Sequence, residues 1–141
     1  MGCYNSIVIN ASPDKVWDVL KDFHNLSWSE NVVSKVEKIG SKSSNEVGAK
    51  RVLNNAFHET LVSLDHSQMK FSYSIGDGPA VVFKDNVEGY LGEAPVYLVS
   101  DNNSSFVLCT SKWKFAKEGG IADFCNPIYH ALLQDLKSHF S

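Results

Sequence analysis

Glu59, in the stretch FHETLVSLD (residues 57–65), is the residue of this 141-residue chain best placed to do chemistry. Its surroundings alternate as a strand does. A carboxylate on the inward face of a strand either titrates upward through desolvation or is held ionised by partners and a polar ligand; on the outward face it sits in water. An inward Glu59 is therefore the candidate acid–base group. Tyr73, in MKFSYSI (69–75), offers a hydroxyl to Glu59 or to a ligand oxygen, and Ser111, next to KWKF, offers another. The remaining candidates are sparse. Of the five histidines, His58 and His66 fall on an outer face or a loop, while His130 and His139 lack acidic or cysteine partners at ligand spacing, so no metal centre is expected. Cys3, Cys109 and Cys125 form no CxxC pair. No nucleophile elbow, phosphate loop, dinucleotide fingerprint or HExxH occurs; Gly76, Gly78 and the EGG at 118–120 are turn glycines, and no cofactor is expected. Any catalytic constellation has to be assembled from residues lining an interior.

The faces follow from charge and register. Lys112 and Lys114 must stay wet, since an unpaired buried ammonium is prohibitively costly, which sends Cys109, Ser111, Trp113 and Phe115 inward. For the hairpin made by FHETLVSLD and MKFSYSI two registers compete. A three-residue loop, Asp65-His66-Ser67, puts Phe57, Glu59, Leu61 and Ser63 on the face of Met69, Phe71, Tyr73 and Ile75. A two-residue loop matches that set with His58, Thr60, Val62 and Leu64 instead, and periodicity alone slightly prefers it.

The elements that must position these residues are readable in order. YNSIVIN alternates as a first strand, with Ile7 and Ile9 on one face. Ser12 is placed as an N-cap, Pro13 as the first helical residue and Asp14 at the positive end of the dipole. Val16, Trp17, Leu20 and Phe23 recur at helical spacing, and a second short helical piece carries Leu26 and Trp28. VVSKVEKI suits either period, and GSKSSNEVG reads as a hairpin loop. VGAKRVLN, FHETLVSLD, MKFSYSI, VEGYLGEAPVYLVS and SSFVLCTSKWKFA follow as strands, with GDGPA and DNNSS as turns. The chain ends in a long amphipathic helix with Ile121, Phe124, Cys125, Ile128, Leu132 and Leu136 along one side; Pro127 either kinks it or starts a new helix capped by Asn126. A meandering antiparallel sheet with one terminal helix to cover it gives an α+β fold, the sheet curving round the helix.

The length suits one domain, 1–141, and the apolar share of 43% is ordinary for a globular protein. No apolar run approaches the roughly 20 residues needed to span a bilayer. With 13 basic and 16 acidic residues spread along the chain and a formal charge of -3, no basic patch exists to neutralise phosphates, and nucleic acid is not an expected partner. An odd number of unpaired cysteines and no secretory segment point to the cytoplasm. MGCYNS fits the pattern for myristoylation at Gly2 with Cys3 available for a second acyl chain, but CYNSIVIN also reads as an edge strand, which leaves Gly2 no free tail.

The features INASPDKVWDVLKDFHNLSWS, VGAKR, ETLVSLD, FSYSI, the KWKF strand end and the final helix together resemble the START-like, or helix-grip, superfamily, which includes the birch pollen allergen type, the bacterial polyketide cyclase and dehydratase family, and plant abscisic acid receptors. The bacterial family is the nearest. The resemblance implies about seven antiparallel strands wrapped around the C-terminal helix, two short helices after the first strand, and a long internal cavity into which Glu59 points. It therefore favours the three-residue loop, with Glu59 across from or beside Tyr73. Carried over by position, the cavity wall is Phe57, Glu59 and Leu61, then Tyr73 and Ile75, then Val87 and Gly89. Ser111 and Trp113 continue it, and Phe124, Ile128 and Leu132 come from the helix.

Three functional expectations follow. The first is binding, for transport or sequestration, of a small hydrophobic, aromatic or lipid-like molecule, with Glu59, Tyr73 and Ser111 orienting its polar end and no cofactor. LNNAF, GDGPAVV and the helical pair around Trp28 are then the mobile parts of the entrance. The second is a cyclase or dehydratase in which Glu59 shuttles a proton, a chemistry that wants more charged groups than this wall offers. The third is a protein-interaction module like the chaperone activators of this fold, with a collapsed interior. LNNAF is shorter than the gate loop that hormone sensing requires in this resemblance.

Overall fold

The structure is a computed structural model that describes residues 2–141. Strand β1 (Gly2–Ile9) alternates as its residues demand, with Cys3 and Ile9 buried and Tyr4 and Val8 exposed. Gly2 and Cys3 are thus paired strand residues, opposite Lys112 and Ser111. Helix α1 (Pro13–Leu20) starts where proline costs no donor and buries Val16, Trp17 and Leu20. Ser12 caps it differently from expectation: its side chain makes no capping bond, and its carbonyl accepts from the amides of Lys15 and Val16 at 3.1 and 3.2 Å. The expected second short helix is reduced to one 3-10 turn, Ser27–Ser29, which carries Trp28.

Strands β2 (Val36–Ile39), β3 (Lys50–Leu53), β4 (Phe57–Asp65), β5 (Lys70–Asp77), β7 (Leu91–Val99) and β8 (Ser104–Lys112) join β1 in a seven-stranded antiparallel sheet of order β1-β8-β7-β5-β4-β3-β2. Two expected long strands are broken. Gly89, at φ +73°, separates β6 (Val87–Glu88) from β7, and Trp113 and Lys114 separate β8 from β9 (Phe115–Ala116). The fragments β6 and β9 pair as a separate two-stranded sheet. That break resets the alternation, so Phe115, expected inward, is 57% exposed, while Lys112 and Lys114 are exposed as their charge requires.

The β4–β5 hairpin reaches the expected facing by another route. Its loop is residues 66–69, with Asp65 opposite Lys70, rather than Asp65-His66-Ser67. Counting straight back from that pair would turn Glu59 to the solvent face, but the register slips at Val62, which bulges outward and is 44% exposed. Leu61 then lies opposite Tyr73 and Glu59 opposite Ile75, all on the inner face.

Helix α2 (Ile121–His139) runs unbroken through Pro127, packed along β1 and the 3-10 turn. Asn126 is not a cap; its side-chain oxygen accepts from Asn5 at 2.8 Å and ties the helix to β1. The fully buried stripe is Ile121, Cys125, Tyr129, Leu133 and Leu136, one position round from part of the expected one; Phe124, Ile128 and Leu132 are half-buried beside it.

Sheet and helix are held apart by aromatic side chains. Tyr73 lies directly over its cross-strand partner Gly92, where an added Cβ would sit 2.3 Å from the ring. Gly92→Ala forces the ring to shift inside a packed layer and is expected to cost about 1–3 kcal/mol in urea denaturation. Unchanged stability would show that the ring is free to move.

Candidate functional site

Between the sheet and α2 lies one buried ion pair. Arg51 on β3 is the direct cross-strand partner of Glu59 on β4. The Arg51 Nε and Nη2 both reach Glu59 Oε1, at 2.8 and 2.7 Å, and Nη1 donates to the Phe23 carbonyl at 2.7 Å. The guanidinium carbon also stacks 3.9 Å above the centre of the Phe23 ring. Arg51 is 7% exposed and Glu59 6%. Burial pushes the Glu59 carboxyl above the usual carboxylate range, and the Arg51 charge and hydrogen bond pull against that. The other carboxylate oxygen, Oε2, accepts no hydrogen bond among the described residues.

Beside the pair runs a chain of hydroxyls. Tyr73 on β5 and Tyr129 on α2 are hydrogen-bonded at 2.7 Å, Tyr129 bonds in turn to Tyr90, and the Tyr90 hydroxyl lies 3.6 Å from Cys125 Sγ. Burial holds all three phenols protonated, well above their ordinary range, with the Glu59 charge adding to the effect at Tyr73. Burial likewise pushes the thiols up, Cys125 to about 11 and Cys109 to about 12. Both are neutral thiols at pH 7, not nucleophiles.

Ion pair and hydroxyls together form one end of a cavity of ≈140 Å³. Of the residues expected to line an interior, Phe57, Glu59, Tyr73, Ile75, Ile128 and Leu132 do line this space. Leu61, Val87, Ser111, Trp113 and Phe124 do not, and each has a physical reason. Leu61 is 1% exposed inside the packed core, and Val87 was carried off by the break at Gly89. Trp113 stacks parallel on Tyr90, and Phe124 stacks on Phe57, so each backs a wall residue. Ser111 is buried behind the wall, its hydroxyl beside that of Tyr90. Trp17 and Phe23 are core residues packed on Phe71. Trp28 borders a smaller chamber of ≈60 Å³, which shares Arg51, Tyr73 and Tyr129 with the larger one.

The wall is less apolar than the sequence suggested, because Arg51, Tyr90 and Tyr129 belong to it. Arg51 lay within VGAKR, and the signal for it was the hairpin: strands joined through residues 54–56 put positions 51 and 59 opposite each other. Tyr129 follows from counting in fours along the helix from Ile121.

Asn54, at φ +55° in the β3–β4 turn, lines the cavity and clasps residues 32–35. Its Oδ1 accepts from the Ser34 amide at 2.9 Å, from the Ser34 hydroxyl at 3.2 Å and from the Lys35 amide at 3.2 Å, and its Nδ2 donates to the Val32 carbonyl at 2.9 Å. On the other side the Ser29 hydroxyl donates to Asp135 on α2 at 2.7 Å. LNNAF, through Leu53, Asn54 and Phe57, and the segment after Trp28, through Val32 and Val33, thus both contribute to the wall.

Arg51→Met leaves the Glu59 carboxylate buried without its counter-charge, an expected loss of about 3–5 kcal/mol near pH 7. Because the folded state holds the Glu59 proton more tightly than the unfolded chain, the penalty for ionising it is absent below the ordinary carboxylate range and grows as pH rises through the elevated folded value. The deficit of Arg51→Met relative to the parent should therefore shrink on acidification, as measured by urea midpoints at about pH 7.5 and about pH 5. A deficit independent of pH would locate the damage elsewhere.

Solved structures of similar shape cover essentially the whole chain. A protein from Nitrosospira multiformis is 29% identical, with a TM-score of 0.95 over 100% of this chain and 97% of that one. Proteins from Bacillus thuringiensis and Thermobifida fusca, 18% and 20% identical, superpose with TM-scores of 0.80 and 0.79 over 99% of this chain and 98% and 92% of theirs. No curated protein matches the chain. The model of one family, described as polyketide cyclase / dehydrase and lipid transport, matches residues 3–140, and to that family the chain belongs.

Proposed function

We propose that the chain binds a small, largely apolar molecule between the sheet and α2, with the polar end of that molecule at Arg51, Glu59 and Tyr73. The observation that carries this reading is the hollow itself: ≈140 Å³ left open beside the packed core, mainly apolar in lining but holding the Arg51–Glu59 pair and three tyrosine hydroxyls. A hollow of about 150 Å³ accepts a benzene-sized guest, whereas drug-sized ligands take about 300–1,000 Å³. The volume supports a compact ligand. An acyl chain or a polyketide needs the segment clasped by Asn54 to lift. A protein-interaction module with a solid interior has less support from this hollow. The role is transport or sequestration by a single domain, and the three free cysteines suit a reducing compartment such as the cytoplasm.

A second reading is supported by the ion pair. In a cyclase or dehydratase, the elevated carboxyl of Glu59 takes a proton from a bound carbonyl compound while Arg51 stabilises the developing oxyanion. Two variants separate the readings. Leu132→Trp fills the cavity from the helix side and should abolish ligand-induced thermal stabilisation while leaving the circular dichroism spectrum native. If it still responds to the ligands that stabilise the parent, they bind elsewhere. In the second reading Glu59→Gln should abolish turnover of a carbonyl substrate; turnover that survives removes the proposed base.

A further inference from the structure

We propose that the ligand is a single-ring aromatic alcohol, a phenol, whose hydroxyl joins the tyrosine chain at Tyr73. This rests on the cavity being a ligand site and specifies the chemistry that the site selects. Size favours one ring, since ≈140 Å³ is close to the about 150 Å³ that accepts a benzene-sized guest. Phe57, Ile75 and Leu132 offer that ring an apolar lining.

The functional group follows from counting protons. Three phenols in a row carry three hydroxyl protons, and the Tyr73–Tyr129 and Tyr129–Tyr90 bonds use two of them. The third lies at one end or the other, or on Tyr129 where both neighbours donate to it, which leaves the Tyr73 oxygen as an acceptor. If the chain runs toward Cys125, Tyr90 donates to the sulfur, and the Tyr73 oxygen is left as an acceptor. If it runs the other way, Tyr73 is left as a donor. Only a group that both donates and accepts satisfies the chain in either direction, and a hydroxyl is the smallest such group. The free Oε2 of Glu59, on the same wall, is a second acceptor for its proton. A carboxylate is disfavoured because Glu59 already neutralises Arg51, so a further negative charge would be buried without compensation. An ammonium is disfavoured because Glu59 is already paired.

The probes are 4-methylphenol, toluene and 4-methylbenzoate, similar in shape and titrated into the full chain by calorimetry with amide NMR as the folding control. The expected order is 4-methylphenol tighter than toluene by about tenfold, with 4-methylbenzoate weakest. Tyr73→Phe should bring 4-methylphenol down to the level of toluene and leave toluene unchanged. If that variant does not fold, the contact is read in the parent as a nuclear Overhauser effect between bound 4-methylphenol and the Tyr73 ring protons. Equal binding of 4-methylphenol and toluene by the parent overturns the phenol assignment and leaves the cavity reading standing. Absence of binding by all three probes overturns both. A preference for 4-methylphenol that survives loss of the Tyr73 hydroxyl, or bound 4-methylphenol that shows no such effect to the Tyr73 ring, overturns the assigned contact.

Discussion

A guanidinium and a carboxylate taken out of water must be satisfied by each other and by fixed dipoles, and that requirement organises the interior. Arg51 reaches Glu59 across two neighbouring strands and uses a further N–H on the Phe23 carbonyl, so the pair ties the β3–β4 hairpin to the segment after α1. Such a pair is weak evidence for net stability, since desolvation consumes much of the Coulombic gain. Its consequence here is positional. Phe23 cannot slide without uncovering the guanidinium, and Glu59 cannot turn outward without leaving Arg51 unpaired.

The hollow beside the pair survives for a related reason. Collapse would press Tyr73, Tyr90 and Tyr129 against apolar neighbours and break hydroxyl bonds that burial makes costly to lose. The rings also have rigid backing, Trp113 behind Tyr90 and the bare backbone of Gly92 beneath Tyr73. Polar partners thus act as spacers in a layer that aliphatic residues alone would close. Family membership supports a ligand-binding or cyclase-type role, and this architecture shows how one chain keeps the options of both: an apolar space and a charged end.

The order of elements and the sheet-and-helix architecture were legible because alternation, the Ser12–Pro13–Asp14 start and the final amphipathic run are local signals. Facing was harder. The inward position of Glu59 depends on a bulge at Val62, and no turn or propensity rule announces a single extra residue inside a strand. The breaks after Val87–Glu88 and after Lys112 were hidden in otherwise regular patterns, and they misplaced Phe115 and moved Val87 off the wall. Arg51 went unnoticed because a charged side chain reads as solvated until its cross-strand partner is known. Tyr129 was missed because the helix presents two adjacent stripes, and the more aliphatic of them is the half-buried one.

Asn54 gathers several hydrogen bonds from the 32–35 segment onto one amide. Bonds that share a single side chain break together, so this part of the seam opens as a unit, beside the separate ties of the Asn54 amide to the Lys35 carbonyl and of Lys35 to Asn55. Asn54 takes no part in the tyrosine hydroxyl chain, so the grip on this segment and the polar network of the cavity are written into different residues. Each can therefore drift separately as the sequence changes.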